Sequence, residues 1–407
     1  MKVLEGVRVI ELAVYGQGPV AAGFLGDLGA EVIKIEHPTM GDPMRGNIKQ
    51  WGTDRRVELR GGGIFHHDFE MCNRSKKGIT LDVHHPKGKE TIYRLIEKSD
   101  VFLSNLREKG LQSFGLSYDE VRRINPRIIY AHTTGFGPKG PLSRNPAMDI
   151  VGMARGGAMF WASELGGEPV YPVGAIYDVG AAIMTAFGIV AALLVRERSG
   201  IGQRVDVSQL GTGINWNLFN VYTALAVGTP YRKLHRSKEP EPLFNVYKCK
   251  DDRWICLGML ASERYWPQFC KAIDQENLQT APKFHDRASR EKNCQELIAI
   301  LDQIFLQKTA DEWLAIMDKE DLVCGRVQTF MDLATDEQAL ANDYIIEVDH
   351  PVLGHIKFPG IPITFSETPM KFLSFAPEFG QHTEEILSEL CGYTWEQMDE
   401  MRSEHII

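Results

Sequence analysis

Positive charge is what this 407-residue chain is short of: 45 Lys and Arg stand against 54 Asp and Glu, a formal net charge of −9. Neutralising nucleic-acid phosphates takes the opposite balance, which excludes a general nucleic-acid binder. Cysteine is sparse and unpatterned. The seven residues between Cys72 and Cys391 form no C-x-x-C pair, which argues against a disulfide framework or a cysteine zinc site and fits a reducing, cytoplasmic setting. There is no G-x-S-x-G and no P-loop, so the commonest hydrolase and phosphotransferase designs are also removed. Internal repeats and low-complexity tracts are absent. The opening "MKVLEGVRVIEL" carries Glu5, Arg8 and Glu11 inside its apolar pattern and is expected to be a strand, not an export signal.

One long hydrophobic run is present. After Asp178, "VGAAIMTAFGIVAALLV" continues uncharged to Val195, close to the shortest membrane spans, for which ~20 residues is usual. Its Ala and Gly content suits close packing, and "RERSG" ends it with charge and a glycine stop, so a buried core helix and no membrane are expected. A hydrophobic share of 43% supports a large core divided between about two domains.

The first third alternates β-branched runs with helical periodicity, the pattern of a doubly wound α/β sheet. Strands are expected at 7–12, 31–36, 78–83, 101–105, 127–137 and 202–210, with a helix over 19–28 and another after Lys87. From about residue 225 the pattern changes to two strands around an Asp-Asp turn, then helices near 262–274 and 287–306. Thr309 and Glu312 have capping-box spacing, so a helix starts at Ala310. The expected division is a large Rossmann-like domain over 1–198, a linker over 199–224, a smaller α+β domain over 225–330, a linker with returning strands over 331–379, and C-terminal helices over 380–407 that rejoin the large domain.

Several features carry chemistry. Gly16, Gly18 and Ala21 after the first strand match G-x-G-x-x-G/A, and Glu36 ends the next strand. A nicotinamide site, a generic nucleotide-phosphate site and a structural turn all fit; Pro19 lacks an N–H where a phosphate wants donors and suits a helix's first turn. Between Arg45 and Lys77, eight basic residues (Arg45, Lys49, Arg55, Arg56, Arg60, Arg74, Lys76, Lys77) outnumber the acids, enough to attract a small polyphosphate. The pairs His66-His67 and His84-His85 do not imply a metal, because adjacent side chains on a strand point apart. Asp149 and Asp178 each precede a helical pattern. Either is explained as an N-cap, and a carboxylate held ionised there also remains available as a nucleophile or base.

The order "VIELAVYGQGPVAAGFLGDLGAEVIKIE", "GDPMRG", "ITLDVHHPKGKE", "GFGPKGP", "YDVGAAIMTAFGIVAALLVRERSGIGQRVDVS" and "GQHTEEILSEL" resembles the family III CoA-transferases, the CaiB/BaiF type that includes formyl-CoA and carnitine CoA-transferases, nearly end to end. The resemblance implies an enzyme moving CoA from an acyl-CoA to a carboxylic acid, with CoA as substrate and no permanently bound cofactor. It implies that Asp178 is the nucleophile, Asp149 the supporting acid and Gln17 a positioner of the acyl group or oxyanion. CoA is then held by Gly16, Gln17, His37, Leu81, Asp82, Val83, His84, Asn105, Arg107, Asn145, Pro146, Ala147 and Met148, and the chain is an interlocked homodimer. This chain departs from some relatives in having His37 where they have Arg, in lacking a base near Ser113, and in having no glycine-rich closing loop in "VGTPYRKLHRSKEPEPL". α-Methylacyl-CoA racemases resemble the same pattern but need a His before Asp149, where this chain has Met148. Two further activities compete with transfer: a nicotinamide-dependent oxidoreductase using the Gly16 turn, and CoA binding without catalysis. Phe160 and Trp161 are candidates to line an apolar acyl pocket.

Overall fold

The computed structural model describes residues 2–407 apart from 47–48, 51–52, 55, 59–63, 173, 230–232 and 371. Arg55 and Arg60 of the basic segment therefore lie outside the described residues. The chain divides into two compact units, Met1–Ala162 with Pro169–Tyr231 and Ile346–Ile407, and Ser163–Glu168 with Arg232–Ile345.

The first unit is built on six parallel strands: β1 (Arg8–Leu12), β2 (Glu31–Glu36), β3 (Lys77–Thr80), β4 (Val101–Ser104), β5 (Ile129–Thr134) and β6 (Arg204–Ser208). Their spatial order is β6-β5-β4-β1-β2-β3, a doubly wound arrangement that reverses direction between β1 and β4. Both sheet faces are buried, so the strands read as nearly continuous apolar runs. Ile10, Ile33, Ile79 and Phe102 pack on one face against α2 (Pro86–Glu97) and the helices Thr383–Cys391 and Trp395–Ser403. Those C-terminal helices supply Ile386, Leu387, Met398 and Met401 to the same core. Val9, Val32, Val101 and Ile129 pack on the other face against α1 (Gln17–Asp27) and a long helix, α4 (Ile176–Ser199), which follows the short α3 (Asp149–Arg155) in the chain.

The run after Asp178 is accordingly a helix long and apolar enough to cross a membrane by composition, yet Ala182, Ala186 and Ile189 bury one side of it in the core beneath the sheet. It ends, as its sequence suggests, at Gly200 in the left-handed conformation (φ 74°).

Three sequence expectations are corrected. α1 begins at Gln17, with Pro19 tolerated in its first turn. The stretch 199–224 is not a bare linker, because it contains β6, α5 (Gln209–Trp216) and the start of α6 (Leu218–Val227). In the second unit, the helix expected over 287–306 is two helices, Arg287–Lys292 and Cys294–Phe305, separated at Asn293. That unit also has an antiparallel sheet of Val246–Lys248, Trp254–Leu257 and Cys324–Val327. The helix from Ala310 starts with the expected Thr309–Glu312 capping box.

Candidate active site

The reversal between β1 and β4 opens a crevice beyond the carboxyl ends of the strands, where open α/β sheets hold ligands. A cavity of about 480 Å³ occupies it, lined by residues 14–17 after β1, 105–108 after β4, Thr134 and Gly135 after β5, the loop 143–148, Val151, Asp178 and Gln209. A second hollow of about 290 Å³ shares Val14 and Leu106 with it and is lined by His37, Leu81, Val83 and His84. The expected site residues fall into these two cavities, apart from Asp82, Asp149 and the acyl-pocket candidates Phe160 and Trp161. The last two line neither cavity and remain largely exposed.

Asp178 is the third residue of α4, after an N-terminal residue, Ala175, in the left-handed conformation (φ 54°). It is not an N-cap. The cap is supplied from another helix: Asp149, first residue of α3, accepts the N–H groups of Tyr177 at 2.7 Å and Asp178 at 3.0 Å on Oδ1. Its Oδ2 accepts the Tyr171 hydroxyl at 3.1 Å. The capping expected of each acid on its own helix is thus replaced by one acid capping the other's helix, which places two carboxylates close together.

The Asp178 carboxylate has no cation partner among the described residues. Its Oδ1 accepts the Gln209 Nε2–H at 2.5 Å. Its Oδ2 stands over Gly16, where any Cβ would approach to 2.9 Å. Burial pushes the Asp178 carboxyl up to about 6; the Gln209 hydrogen bond opposes that shift, and the nearby Asp149 charge adds to it. Ionised at neutral pH yet more basic than an ordinary aspartate, it has the character of a nucleophile facing a cleft. The N–H groups of Gln17 and Gly18 at the start of α1 have no acceptor among the described residues. The Gln17 side chain donates to the Thr134 carbonyl at 3.2 Å.

The glycine turn is not arranged for a dinucleotide. Asn105 accepts the Val14 N–H at 3.0 Å and donates to the Val14 carbonyl at 2.7 Å, while Tyr15 N–H is bound by Asp42 at 3.1 Å. Glu36, the candidate ribose acid, is buried and grips Arg45 through two 2.8 Å hydrogen bonds. A Cβ at Gly18 would meet Ala13 at 2.7 Å, so that glycine serves packing. A nicotinamide site fails on this geometry.

The basic segment is corrected at the four of its eight cations whose side chains are described, those of Lys49, Arg55, Arg56 and Arg60 lying outside the described residues. Arg45 is taken by Glu36, Arg74 by Asp27 at 2.8 Å, Lys76 by Glu11 at 2.6 Å, and Lys77 by Glu385 at 2.7 Å. These cations serve the interior and its rim, not a polyphosphate. Arg107 and Arg144, both lining the larger cavity, have no ion-pair partner among the described residues and are the free guanidiniums there.

In the second hollow, His37 and His84 converge on Asp82, with His84 Nδ1 at 3.0 Å and His37 Nε2 at 3.8 Å from Oδ1. Reading only adjacent histidines misses this grouping. His37 Nδ1 accepts the Thr39 N–H at 3.2 Å, so the neutral ring carries its proton on Nε2, facing Asp82. That tautomer suits hydrogen bonding better than metal ligation.

Sequence reasoning also misses Gln209, Tyr171 and Arg144. The nearest to a signal is at Gln209, which the expected strand over 202–210 includes but which stands directly after the strand that ends at Ser208, as Asn105 stands directly after β4.

A doubly wound sheet with an uncompensated aspartate in the crevice at its reversal point fits the class of group-transfer enzymes. The chain matches CoA-transferase family III over residues 4–383; it belongs to that family and is a CoA-transferase. It is 33% identical to (R)-2-hydroxy-4-methylpentanoate CoA-transferase of Clostridioides difficile, covering 99% of each chain. It is 31% identical to cinnamoyl-CoA:phenyllactate CoA-transferase of Clostridium sporogenes, covering 98% of this chain and 96% of the other. A CaiB/BaiF family protein from Brucella suis superposes with a TM-score of 0.84 at 27% identity, covering 96% of this chain and all of the other (100%).

Proposed function

We propose that the enzyme moves CoA from an acyl-CoA donor to a free carboxylic acid with Asp178 as covalent carrier. Asp178 Oδ2 attacks the thioester carbonyl, expelling CoA thiolate and leaving an acyl–aspartyl anhydride. The thiolate attacks Cγ, releasing the donor acid and leaving an aspartyl-CoA thioester. An incoming carboxylate reverses these two steps and leaves as the new acyl-CoA. The overall exchange trades one thioester for another, so the relay needs no nucleotide triphosphate, and the covalent carrier divides it into easier steps.

The observation that carries this reading is the Asp178 carboxylate: open to a cavity, without a cation among the described residues, raised to about 6, with its free oxygen over a residue that has no side chain. Gln17 and the unpaired N–H groups of Gln17 and Gly18 would meet the oxyanion at the substrate carbonyl. Gly16, Asn105, Arg107 and the residues from Asn145 to Met148 would hold the pantetheine and phosphate end of CoA. His37, Leu81, Asp82, Val83 and His84 would hold the nucleotide. Asp149 supports Asp178 by fixing the start of α4. Racemisation is disfavoured because Met148 offers no base.

The relatives that act on 2-hydroxy-4-methylpentanoate and phenyllactate, together with Tyr15, Met148 and Val151 in the cavity wall, support a 2-hydroxy or aryl-substituted acid as substrate. The homodimer, interlocked as in the family, is supported by α6, which buries none of its residues although Phe219 is 86% and Leu225 81% exposed. Such a helix needs a covering surface. A cytoplasmic location and a CoA-binding large unit with a smaller second unit complete the reading.

Hydroxylamine added to enzyme preincubated with acyl-CoA is expected to yield a hydroxamate on the Asp178 peptide, read by mass spectrometry. CoA bound without an adduct at that residue would overturn the relay.

A further inference from the structure

The relay requires two kinds of attack, and they develop negative charge in different places. Attack by Asp178 on an acyl group puts the oxyanion on the substrate. Attack on Asp178 itself, by CoA thiolate or by the acceptor carboxylate, puts it on the aspartyl carbonyl oxygen. The N–H groups at the start of α1, proposed above to meet the first, follow Gly16, over which Asp178 Oδ2 stands. The second is Oδ1, and it already has a donor.

We infer that Gln209 is a catalytic residue for the attacks on the aspartyl carbonyl, its Nε2–H stabilising the oxyanion that forms on Asp178 Oδ1. This rests on the carrier role proposed for Asp178. When CoA thiolate attacks the anhydride, an S–Cγ bond forms and the carbonyl π pair moves onto Oδ1. As that pair returns, the Cγ–Oδ2 bond breaks and Oδ2 leaves with the donor acid. Acceptor attack on the thioester is the same step with carboxylate oxygen entering and thiolate leaving. In each, Oδ1 gains and loses a full charge while Gln209 stays in place at 2.5 Å.

The side chain is built for that position. Gln209 is 3% exposed, directly after β6, and lines the cavity. Gly152 makes room for it, since a Cβ there would come within 2.9 Å of Oε1 and 3.0 Å of Cβ. Its Oε1 is buried with no hydrogen-bond partner among the described residues. A buried amide oxygen left unsatisfied is costly, and rotating the amide would only set that oxygen against a carboxylate. The orientation that donates to Oδ1 is therefore imposed by the charge on Asp178, and the amide is satisfied best when that charge is largest.

The experiment follows the two kinds of attack separately. Wild-type enzyme mixed with acyl-CoA and no acceptor is expected to proceed to the aspartyl-CoA thioester, seen by intact mass. Gln209→Met, similar in size but without the donor, is expected to accumulate the acyl anhydride and to form the thioester about 10²–10³-fold more slowly, as for loss of one oxyanion donor. KM for acyl-CoA should change much less. The acid limb of its kcat/KM profile should move to higher pH, which a purely structural residue would not cause. Gly152→Ala, which displaces the amide without altering it, should reproduce the partition if Gln209→Met fails to fold. Thioester formation at the wild-type rate, or equal slowing of anhydride formation and thioester formation, would overturn the role of Gln209. A wild-type enzyme with no adduct on Asp178 would instead remove the carrier role itself.

Discussion

Two carboxylates near the β1–α1 turn, Glu11 fully buried and Asp178 partly so, are treated in opposite ways. Glu11, near the end of β1, is fully buried between two ammoniums: Lys34 at 3.1 Å and Lys76 at 2.6 Å. Lys34 also binds Asp42 at 2.8 Å and the Ala13 carbonyl at 3.0 Å, and Asp42 in turn holds the Tyr15 N–H. Burial of Lys34 is outweighed by the acids around it, which raise its pKa, whereas burial brings Lys76 down to about 8 against the pull of Glu11. This network is closed, each charge answered by another, and it anchors the underside of the turn that floors the cavity. Asp178 receives a neutral amide, the floor of a glycine and a second acid nearby. A buried acid that serves structure is compensated by charge. The one proposed to serve chemistry is left short of it, and that shortfall is what the proposed reactivity rests on.

The contrast breaks most sharply at Asp178. Asp178→Ala is expected to lower kcat by roughly 10³-fold or more, as for loss of a covalent nucleophile, while leaving the fold intact by circular dichroism. Glu11→Gln should do the reverse. It leaves two buried ammoniums facing a neutral amide and should cost about 3–5 kcal/mol in urea unfolding.

Proton linkage sharpens the same comparison. Because the folded pKa of Asp178 lies at about 6, above the 3.8 of a free aspartate, the native state keeps a proton that the unfolded chain has released between these values. Its contribution to stability is therefore lost as pH rises through 6, whereas activity, which needs the ionised form, appears over the same window. Asp178→Asn should raise the melting temperature at pH 7.5 relative to wild type and much less so at pH 4. The wild-type kcat/KM profile should show an acid limb near 6. The smallest effect is expected from Asp149→Asn, whose amide oxygen still caps α4 but whose charge is gone. The acid limb should move down by a fraction of a pH unit, measured on the same profile, because one contribution to the raised pKa is removed.

Local pattern was sufficient for the β1–α1–β2 unit, the buried α4 helix and the Thr309 capping box, because each depends on neighbours within a few residues. It did not reveal the strand order, which depends on pairings such as Val9 with Val101. The described part of the basic segment departs from its local reading for the same reason: Arg74 meets Asp27 and Lys77 meets Glu385, acids that no local count includes. The family likeness singled out Asp178 and Asp149. That Asp149 caps the helix of Asp178 and that Gln209 holds Oδ1 needed three helices to meet. The His37–Asp82–His84 grouping needed two strand ends to lie side by side, which inspection of adjacent histidines does not test.

The place of the last helices in the sheet's core has a consequence for how the protein is made. Ile10, Ile33 and Ile79 share one apolar cluster with Met398, Met401 and Ile406, and the Asp82 N–H is bound by the Ile406 carbonyl at 2.7 Å. A chain leaving the ribosome therefore exposes that face of β1, β2 and β3 until the helices Thr383–Cys391 and Trp395–Ser403 have been made. Closure of the domain waits until the whole second unit has been synthesised, and chaperone demand should peak over that interval.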